Sequence, residues 1–231
     1  MSCVSTRISL QWIPEPPHEY TDTLVLTTKG LHFVDIRIKT PIPVDAKGTD
    51  ANIDWVITGV EHPIEGTSKV EFRHDINSHL KLNHGEAYDV GDFKEIENGD
   101  RSETGTMENW NTGVMQKYEE IWRTIDPLAS KPDDYVRDVN ENSASAPCIA
   151  YHLDQDGFLG KCVRIGNFAQ GALLNHSTNK VSCVRWFKSE NDWSVVFESG
   201  DEVTKIPRGE DKEGEVVEVE GLKWKVVEST F

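Results

Sequence analysis

The stretch Val34-Asp35-Ile36-Arg37-Ile38-Lys39 alternates apolar and charged residues with a period of two. The same alternation occurs near the other end of the chain, in Leu222-Lys223-Trp224-Lys225-Val226. A period of two places successive side chains on opposite faces of a β-strand. Each stretch is therefore predicted to be a half-buried strand, with one apolar face and one solvated face.

Turn signals separate many such stretches. They are Lys29-Gly30, Asn98-Gly99, Asp156-Gly157, Ser199-Gly200 and Glu220-Gly221, of which Asp-Gly is the strongest hairpin signal. The first half of the chain is predicted to hold strands at 4–12, 22–28, 31–39, 53–60, 68–75, 79–83, 92–97 and 103–108. The second half is predicted to hold strands at 118–125, 147–154, 158–166, 168–174, 181–187, 193–198, 202–206, 215–219 and 222–228. Short strands joined by hairpins predict an all-β, antiparallel fold.

A short internal sequence repeat suggests two tandem modules. Leu10-Gln11-Trp12-Ile13-Pro14 is similar to the run from Ile121 to Pro127, which begins near the middle of the chain. A repeated opening strand is typical of a duplicated domain, and we place the domains at residues 1–106 and 107–231. About eight antiparallel strands in each half are enough to close a small barrel. We therefore predict two tandem β-barrels, with a β-sandwich as the alternative.

Composition excludes several classes of partner. The 231 residues carry 24 basic and 40 acidic side chains, for a formal net charge of −16, which repels nucleic acid phosphates and anionic lipid. No stretch approaches the ~20 apolar residues of a membrane span, and no apolar secretion signal precedes Pro14. The cysteines Cys3, Cys148, Cys162 and Cys183 lack a Cys-x-x-Cys spacing, which indicates reduced thiols. We expect a cytoplasmic protein, with the nucleus as the alternative, and neither nucleic acid nor membrane as partner.

Motifs for cofactor or nucleophilic chemistry are missing from the sequence. It has no nucleophile elbow, Walker loop, dinucleotide fingerprint or His-Glu-x-x-His. His74, His79 and His84 lie five residues apart, and odd steps along a strand place neighbours on opposite faces. We therefore predict no metal site and no cofactor.

Ten aromatic and polar residues in the predicted strands are candidates for a pocket. They are Trp55, Phe72, Tyr118, Trp122, Tyr151, Arg164, Phe168, Gln170, Trp186 and Trp224. Packing alone accounts for most aromatic side chains in a small barrel. Arg164 and Gln170 are more informative, because a buried polar group needs a partner and a ligand can supply it.

Several short motifs resemble the fungal Hri family, which is named for an interaction with a casein-kinase-type protein kinase. They are Trp55 to Gly59, Glu103-Thr104-Gly105, Glu120-Ile121-Trp122, Ile165-Gly166 with Gln170-Gly171, Glu202 to Pro207 and Gly221 to Glu228. The resemblance spans nearly the whole chain and implies two calycin-like (lipocalin-type) β-barrels. Family members carry an aromatic-rich segment where this chain has residues 93–99, and a bulkier residue than Phe168 or Ala169 before Gln170.

The loss of bulk at these positions enlarges the expected interior and leads to our first functional hypothesis. Related barrels in fungal secondary metabolism look like cofactor-free cyclases of the pericyclic, hetero-Diels-Alder type, which hold apolar polyketide and terpenoid partners in a reactive pose. Arg164, Tyr118 or Tyr151 would then donate a hydrogen bond to a substrate oxygen. The aromatic candidates and Gln170 would bind the substrate.

Two other hypotheses stay open. The chain would be a non-enzymatic protein that binds a protein kinase, or a carrier for a hydrophobic small molecule. We place the pocket in the predicted second barrel, which begins at the repeat from Ile121 to Pro127, because Arg164 and Gln170 lie there.

Overall fold

The structure, a computed structural model, describes residues 1–79, 88–128, 135–190 and 192–231. The strands of the first half are β1 Cys3–Trp12, β2 Thr21–Thr27, β3 His32–Lys39, β4 Ile53–Pro63, β5 Lys69–Asn77, β6 Tyr88–Glu95, β7 Arg101–Asn109 and β8 Val114–Thr124. The later strands are β9 Cys148–Gln155, β10 Phe158–Ile165, β11 Phe168–Asn175, β12 Lys180–Ser189, β13 Asp192–Ser199, β14 Val216–Val219 and β15 Leu222–Ser229. Short helical turns lie at Asp50–Asn52, α1 Asn142–Ser145 and Val203–Lys205.

Strands β1 to β8 form a closed barrel in which each strand pairs with the next one along the chain. The barrel closes because β8 returns to β1, with Trp12 opposite Tyr118 and Arg7 opposite Trp122. The later strands form a second antiparallel sheet of seven strands in the order β13-β12-β11-β10-β9-β15-β14. The all-β prediction is therefore confirmed, with one closed barrel and a second sheet that has β13 and β14 at its edges.

Most predicted strands agree with the observed ones within a few residues. The strand predicted at 79–83 falls almost entirely outside the described residues, and the one predicted at 202–206 is a 3₁₀ turn, Val203–Lys205.

The predicted domain boundary after residue 106 lies inside β7. The interpretation of the Trp122 run as the opening strand of a second barrel is wrong, because β8 completes the first barrel by pairing with β1. The pattern of Trp, Ile and Pro carries no information about which distant strand is the partner.

The main hydrophobic core lies between the barrel wall and one face of the second sheet. Leu24, Val34 and Ile36 point outward from the barrel and pack in one cluster with Val163 and Phe168 of the sheet. Burial of apolar surface on this scale is the dominant favourable term in folding. The two sheets therefore share one core.

This packing changes the meaning of the alternation in β3. The apolar residues of the strand face the second sheet, whereas Asp35 and Arg37 point into the barrel. Asp35 is 4% exposed and Arg37 is 7% exposed, so the prediction of a solvated face is wrong for this strand. The corresponding prediction holds for β15, where Lys223 and Lys225 are exposed beside the buried Trp224.

Polar side chains of the second sheet also attach it to the barrel. Gln170 donates from Nε2 to the Leu24 carbonyl at 2.8 Å and to the Val34 carbonyl at 3.1 Å. Arg185 donates from Nη2 to the Ile36 carbonyl at 2.7 Å. Lys161 donates to the Gly59 carbonyl at 2.6 Å. These bonds satisfy buried donors at the boundary, where an unpaired donor would be costly.

In the described part of the chain, no helix is long and apolar enough to cross a membrane.

Candidate functional site

A cavity of about 260 Å³ lies inside the closed barrel, and all eight strands contribute to its lining. Its walls combine an apolar group of side chains with a charged and polar group. The apolar group includes Val25, Phe33, Ile57, Phe72, Phe93 and Met107. The polar group includes Asp35, Arg37, Glu103, Tyr118, Glu120 and Trp122. A cavity with apolar walls and a few converging polar groups is typical of small-molecule sites.

The apolar wall is built from edge-to-face aromatic contacts. The ring centroids of Phe33 and Phe72 are 5.8 Å apart with an interplanar angle of 86°. Those of Phe72 and Phe93 are 6.1 Å apart at 60°. Such pairs are favourable because the positive edge of one ring meets the negative face of the other. They hold a continuous aromatic surface across β3, β5 and β6.

The charged wall is a network of buried ion pairs. Glu120 Oε1 accepts from Arg7 Nη1 at 2.6 Å and from Arg37 Nη1 at 3.3 Å. Arg37 also bonds Asp35 Oδ2 through Nη2, at 2.9 Å, and Arg7 bonds Glu19 Oε2 through Nε, at 2.7 Å. Opposite charges hold the pKa of both arginines above the usual value, although burial opposes this. The guanidinium donors of both arginines are therefore largely occupied within the protein.

Glu103 is a second buried carboxyl group beside this network. Tyr118 donates its hydroxyl to Glu103 Oε1 at 2.8 Å. Burial and the nearby charge of Glu120 raise the pKa of Glu103 to about 8. Burial and the same two carboxylates raise the pKa of Tyr118 as well. At neutral pH the Glu103 side chain is mostly protonated, because its carboxylate form is poorly solvated.

Two buried polar atoms of the lining have no hydrogen-bond partner in the described residues. They are Oδ1 of Asp35 and Nε1 of Trp122. The first is an acceptor and the second is a donor. Buried polar groups are nearly always paired, so each such exception calls for a partner of matching chemistry.

Three aromatic rings pack together beside Arg37. His79 and Trp110 are stacked with centroids 4.7 Å apart, and Trp55 packs on both of them edge to face. Arg37 lies 4.8 Å above the Trp55 ring. Trp55 donates its indole N–H to Asn77 Oδ1 at 2.9 Å. Trp55 therefore packs against Arg37 and is not among the residues that line the cavity.

The structure brings together only three of the ten sequence-predicted pocket residues. Phe72, Tyr118 and Trp122 line the barrel cavity. Phe168 and Gln170 lie between the barrel and the second sheet, where their contacts are with protein. These two residues attach the second sheet to the barrel. The cavity lies in the barrel of the first half, whereas the sequence favoured a pocket in the second half.

The remaining predicted residues lie on the opposite face of the second sheet. Tyr151, Trp186 and Trp224 belong to the hydrophobic cluster of that face. Tyr151 donates to Asp211 Oδ2 at 2.8 Å. Arg164 bonds Glu210 Oε1 at 2.9 Å. The proposed donors Arg164, Tyr118 and Tyr151 are thus not brought together at one cavity, and Arg164 and Tyr151 each have a protein partner.

Sequence reasoning missed the charged residues of the lining. Asp35, Arg37, Glu103 and Glu120 lie in strands whose alternation indicates a solvated face. No local pattern distinguishes a charge that faces water from one that faces a barrel interior. The only available signal was indirect. The apolar residues that alternate with these charges have to pack against another layer, so the charged face of the strand need not be the one that faces water.

Among the described residues, no group of three or more His, Cys, Asp or Glu side chains is arranged to hold a metal ion. His74 bonds Asp89 Oδ1 at 3.1 Å and Asn77 Nδ2 at 3.0 Å. His79 stacks on Trp110, and His84 lies outside the described residues.

Residues 3–228 match the family model described as Protein HRI1. The chain is 28% identical to Protein HRI1 of Kluyveromyces lactis over 248 residues, which covers 100% of both chains. It is 26% identical to Protein HRI1 of Vanderwaltozyma polyspora, covering 92% of this chain and 93% of the relative. A crystal structure of the uncharacterized protein YLR301w from Saccharomyces cerevisiae is similar over 100% of both chains, with a TM-score of 0.84 at 22% identity. This last likeness concerns the fold.

Proposed function

The chain belongs to the family described as Protein HRI1, and from this premise we propose that it binds an amphipathic small molecule inside its closed barrel. The observation that carries the proposal is the cavity itself. Its aromatic wall suits an apolar body, and its charged wall suits a polar end group. Binding of this kind needs no catalytic group.

Two properties of the cavity support a ligand in preference to pure packing. A dry cavity of about 150 Å³ is enough to admit benzene, and the cavity here has about 260 Å³. The unpartnered Asp35 Oδ1 and Trp122 Nε1 give a ligand one acceptor and one donor. A ligand that pairs with both atoms would offset the cost of burying them without a partner.

The two other hypotheses have less support from the geometry. A pericyclic cyclase would need its hydrogen-bond donor at the cavity, and of the three proposed donors only Tyr118 lies there. That hydroxyl already donates to Glu103. A protein-kinase partner, which the family resemblance implies, stays a prediction that the cavity neither requires nor opposes.

A cavity-filling variant tests the proposal. Val25 lines the cavity, so phenylalanine at this position is expected to occupy part of the space and to weaken the binding of 1-octanol by about 10-fold or more. This loss corresponds to about 1.4 kcal/mol of binding free energy. Isothermal titration calorimetry of the intact protein measures the dissociation constant.

The matched control is Val114→Phe, because Val114 lies on a barrel strand and its side chain is 59% exposed. This variant is expected to bind 1-octanol as the unaltered protein does. Thermal unfolding without ligand checks that Val25→Phe is folded. If folded Val25→Phe binds 1-octanol as tightly as the control, the ligand does not occupy the barrel and the proposal is wrong.

A further inference from the structure

The ionisable groups around the barrel cavity are predominantly acidic. Five carboxyl side chains line it, and they are Asp35, Glu61, Asp89, Glu103 and Glu120. The arginines of the lining are Arg37 and Arg101. Resting on the proposed function, we infer that the polar end of the ligand is a protonated amine and that the carboxyl groups of Asp35, Glu103 and Glu120 receive it.

Beside Asp35, Glu103 and Glu120 an anionic end group would find few available donors, because Arg101, the other arginine of the lining, lies over the Phe93 ring and outside this network. Arg37 uses Nε and Nη2 on Asp35 and Nη1 on Glu120. Arg7, behind the lining, bonds Glu19, Glu120 and Thr21. At the end of the cavity that holds Arg37 and Glu120, an anion would have to displace one of these buried carboxylates, which would leave the carboxylate unpaired in a poorly solvated interior.

An ammonium group, in contrast, finds hydrogen-bond acceptors in the lining. It presents three N–H donors and no acceptor. The lining supplies Asp35 Oδ1, which is buried without a partner, and the carboxyl groups of Glu103 and Glu120. The aromatic wall formed by Phe33, Phe72 and Phe93 then receives the apolar body, and a ring face also attracts a cation.

The protonation of Glu103 adds a dependence on pH. The charged and titratable groups that act on Glu103 come from several strands, namely Glu120 and Tyr118 of β8, Asp89 of β6 and Arg37 of β3. His74 of β5 is hydrogen-bonded to Asp89. Because burial and Glu120 raise the pKa of Glu103 to about 8, its ionised fraction rises from about one tenth at pH 7 to about nine tenths at pH 9. An alkylammonium ion resembles the lysine side chain and keeps its charge over this range.

The sign of the pH effect follows from these charges. Ionised Glu103 attracts an ammonium group, so a bound amine favours the carboxylate form and releases a proton at pH 7. The affinity for an amine is therefore expected to rise with pH. A neutral alcohol has no net charge to interact with Glu103 and is expected to show little change.

The experiment compares octylamine, 1-octanol and octanoate, which share one apolar chain and differ in the end group. Isothermal titration calorimetry of the full chain at pH 7 and pH 9 gives each dissociation constant. We expect octylamine to bind at least about 10-fold more tightly than 1-octanol at pH 9, and octanoate to bind most weakly. We expect the affinity for octylamine to rise by up to about 10-fold between the two pH values, in proportion to the ionised fraction of Glu103.

Two variants test whether ionisation of Glu103 causes the rise in octylamine affinity with pH. Glu103→Gln keeps an acceptor for Tyr118 but cannot ionise, so the rise in octylamine affinity with pH should disappear. Glu108→Gln is the matched control, because Glu108 lies on the same strand β7 and does not line the cavity. The control should keep the rise. If both variants kept the rise, another group would cause it, and the role of Glu103 would be overturned.

The outcomes separate the two proposals. Equal binding of all three ligands, or tightest binding of octanoate, would overturn the amine assignment and leave the barrel-ligand proposal standing. Binding of none of the three at either pH would contradict the proposed function itself. A preference for octylamine that Glu103→Gln reduces at pH 9 supports both.

Discussion

Replacement of Glu120 by alanine is expected to lower the free energy of unfolding by about 3–5 kcal/mol, which is the usual cost of removing one partner from a buried ion pair. Glu120 is 2% exposed, and its Oε1 accepts from both Arg7 and Arg37. Without it, two buried guanidinium groups face each other with fewer anions between them. Urea denaturation monitored by tryptophan fluorescence measures the loss.

The matched control is Glu71→Ala. Glu71 also lies on a barrel strand and pairs with an arginine, Arg73, at 2.6 Å, but the Arg73 side chain is 58% exposed. Exposed ion pairs contribute only about 0–1 kcal/mol, so the control is expected to lose no more than that. Similar losses for the two variants would show that the Glu120 network is solvated, contrary to the buried geometry described above.

Replacement of Arg185 by alanine is expected to have an effect of similar size, about 3–5 kcal/mol. Arg185 is 2% exposed and bonds Asp22 Oδ1 at 2.5 Å, Gln170 Oε1 at 2.7 Å and the Ile36 carbonyl at 2.7 Å. Asp22 and Ile36 belong to the barrel, and Gln170 belongs to the second sheet. The variant leaves all three acceptors without this donor at the boundary between the sheets.

The size of this effect is best judged against a change on the same strand. Lys188 also lies on β12, is 26% exposed and is 4.0 Å from Glu210. We expect Lys188→Ala to change the free energy of unfolding by less than about 1 kcal/mol. Urea denaturation of both variants, with circular dichroism as a second probe, provides the comparison. A loss below about 1 kcal/mol for Arg185→Ala would mean that apolar packing alone joins the two sheets.

Local sequence predicted the strands well because their signals are local. The alternation in β3 and β15, and turn residues such as Gly157 and Gly221, act over a few positions. Both glycines have positive φ, at 79° and 82°, a conformation that glycine adopts without strain. Hairpins between consecutive strands followed from these turns.

The candidate site was predicted only in part. Of the pocket candidates that the sequence offered, Phe72, Tyr118 and Trp122 line the cavity. Arg164 and Gln170 were chosen because buried polar groups need partners, and both do have partners. Those partners are Glu210 for Arg164 and the Leu24 and Val34 carbonyls for Gln170. Distant contacts of this kind leave no trace in local spacing.

The sequence by itself determined that this chain is all-β, where most strands begin and end, and which residues alternate. Tertiary structure alone decided which face of each strand points inward and which strands meet across long separations. The physical reason lies in the two-residue period, which defines two faces but does not orient them. In β3 both faces are buried, so the outcome depends on the second sheet, which covers the apolar face and leaves Asp35 and Arg37 inside the barrel. The pairing of β1 with β8 likewise required closure of the whole barrel.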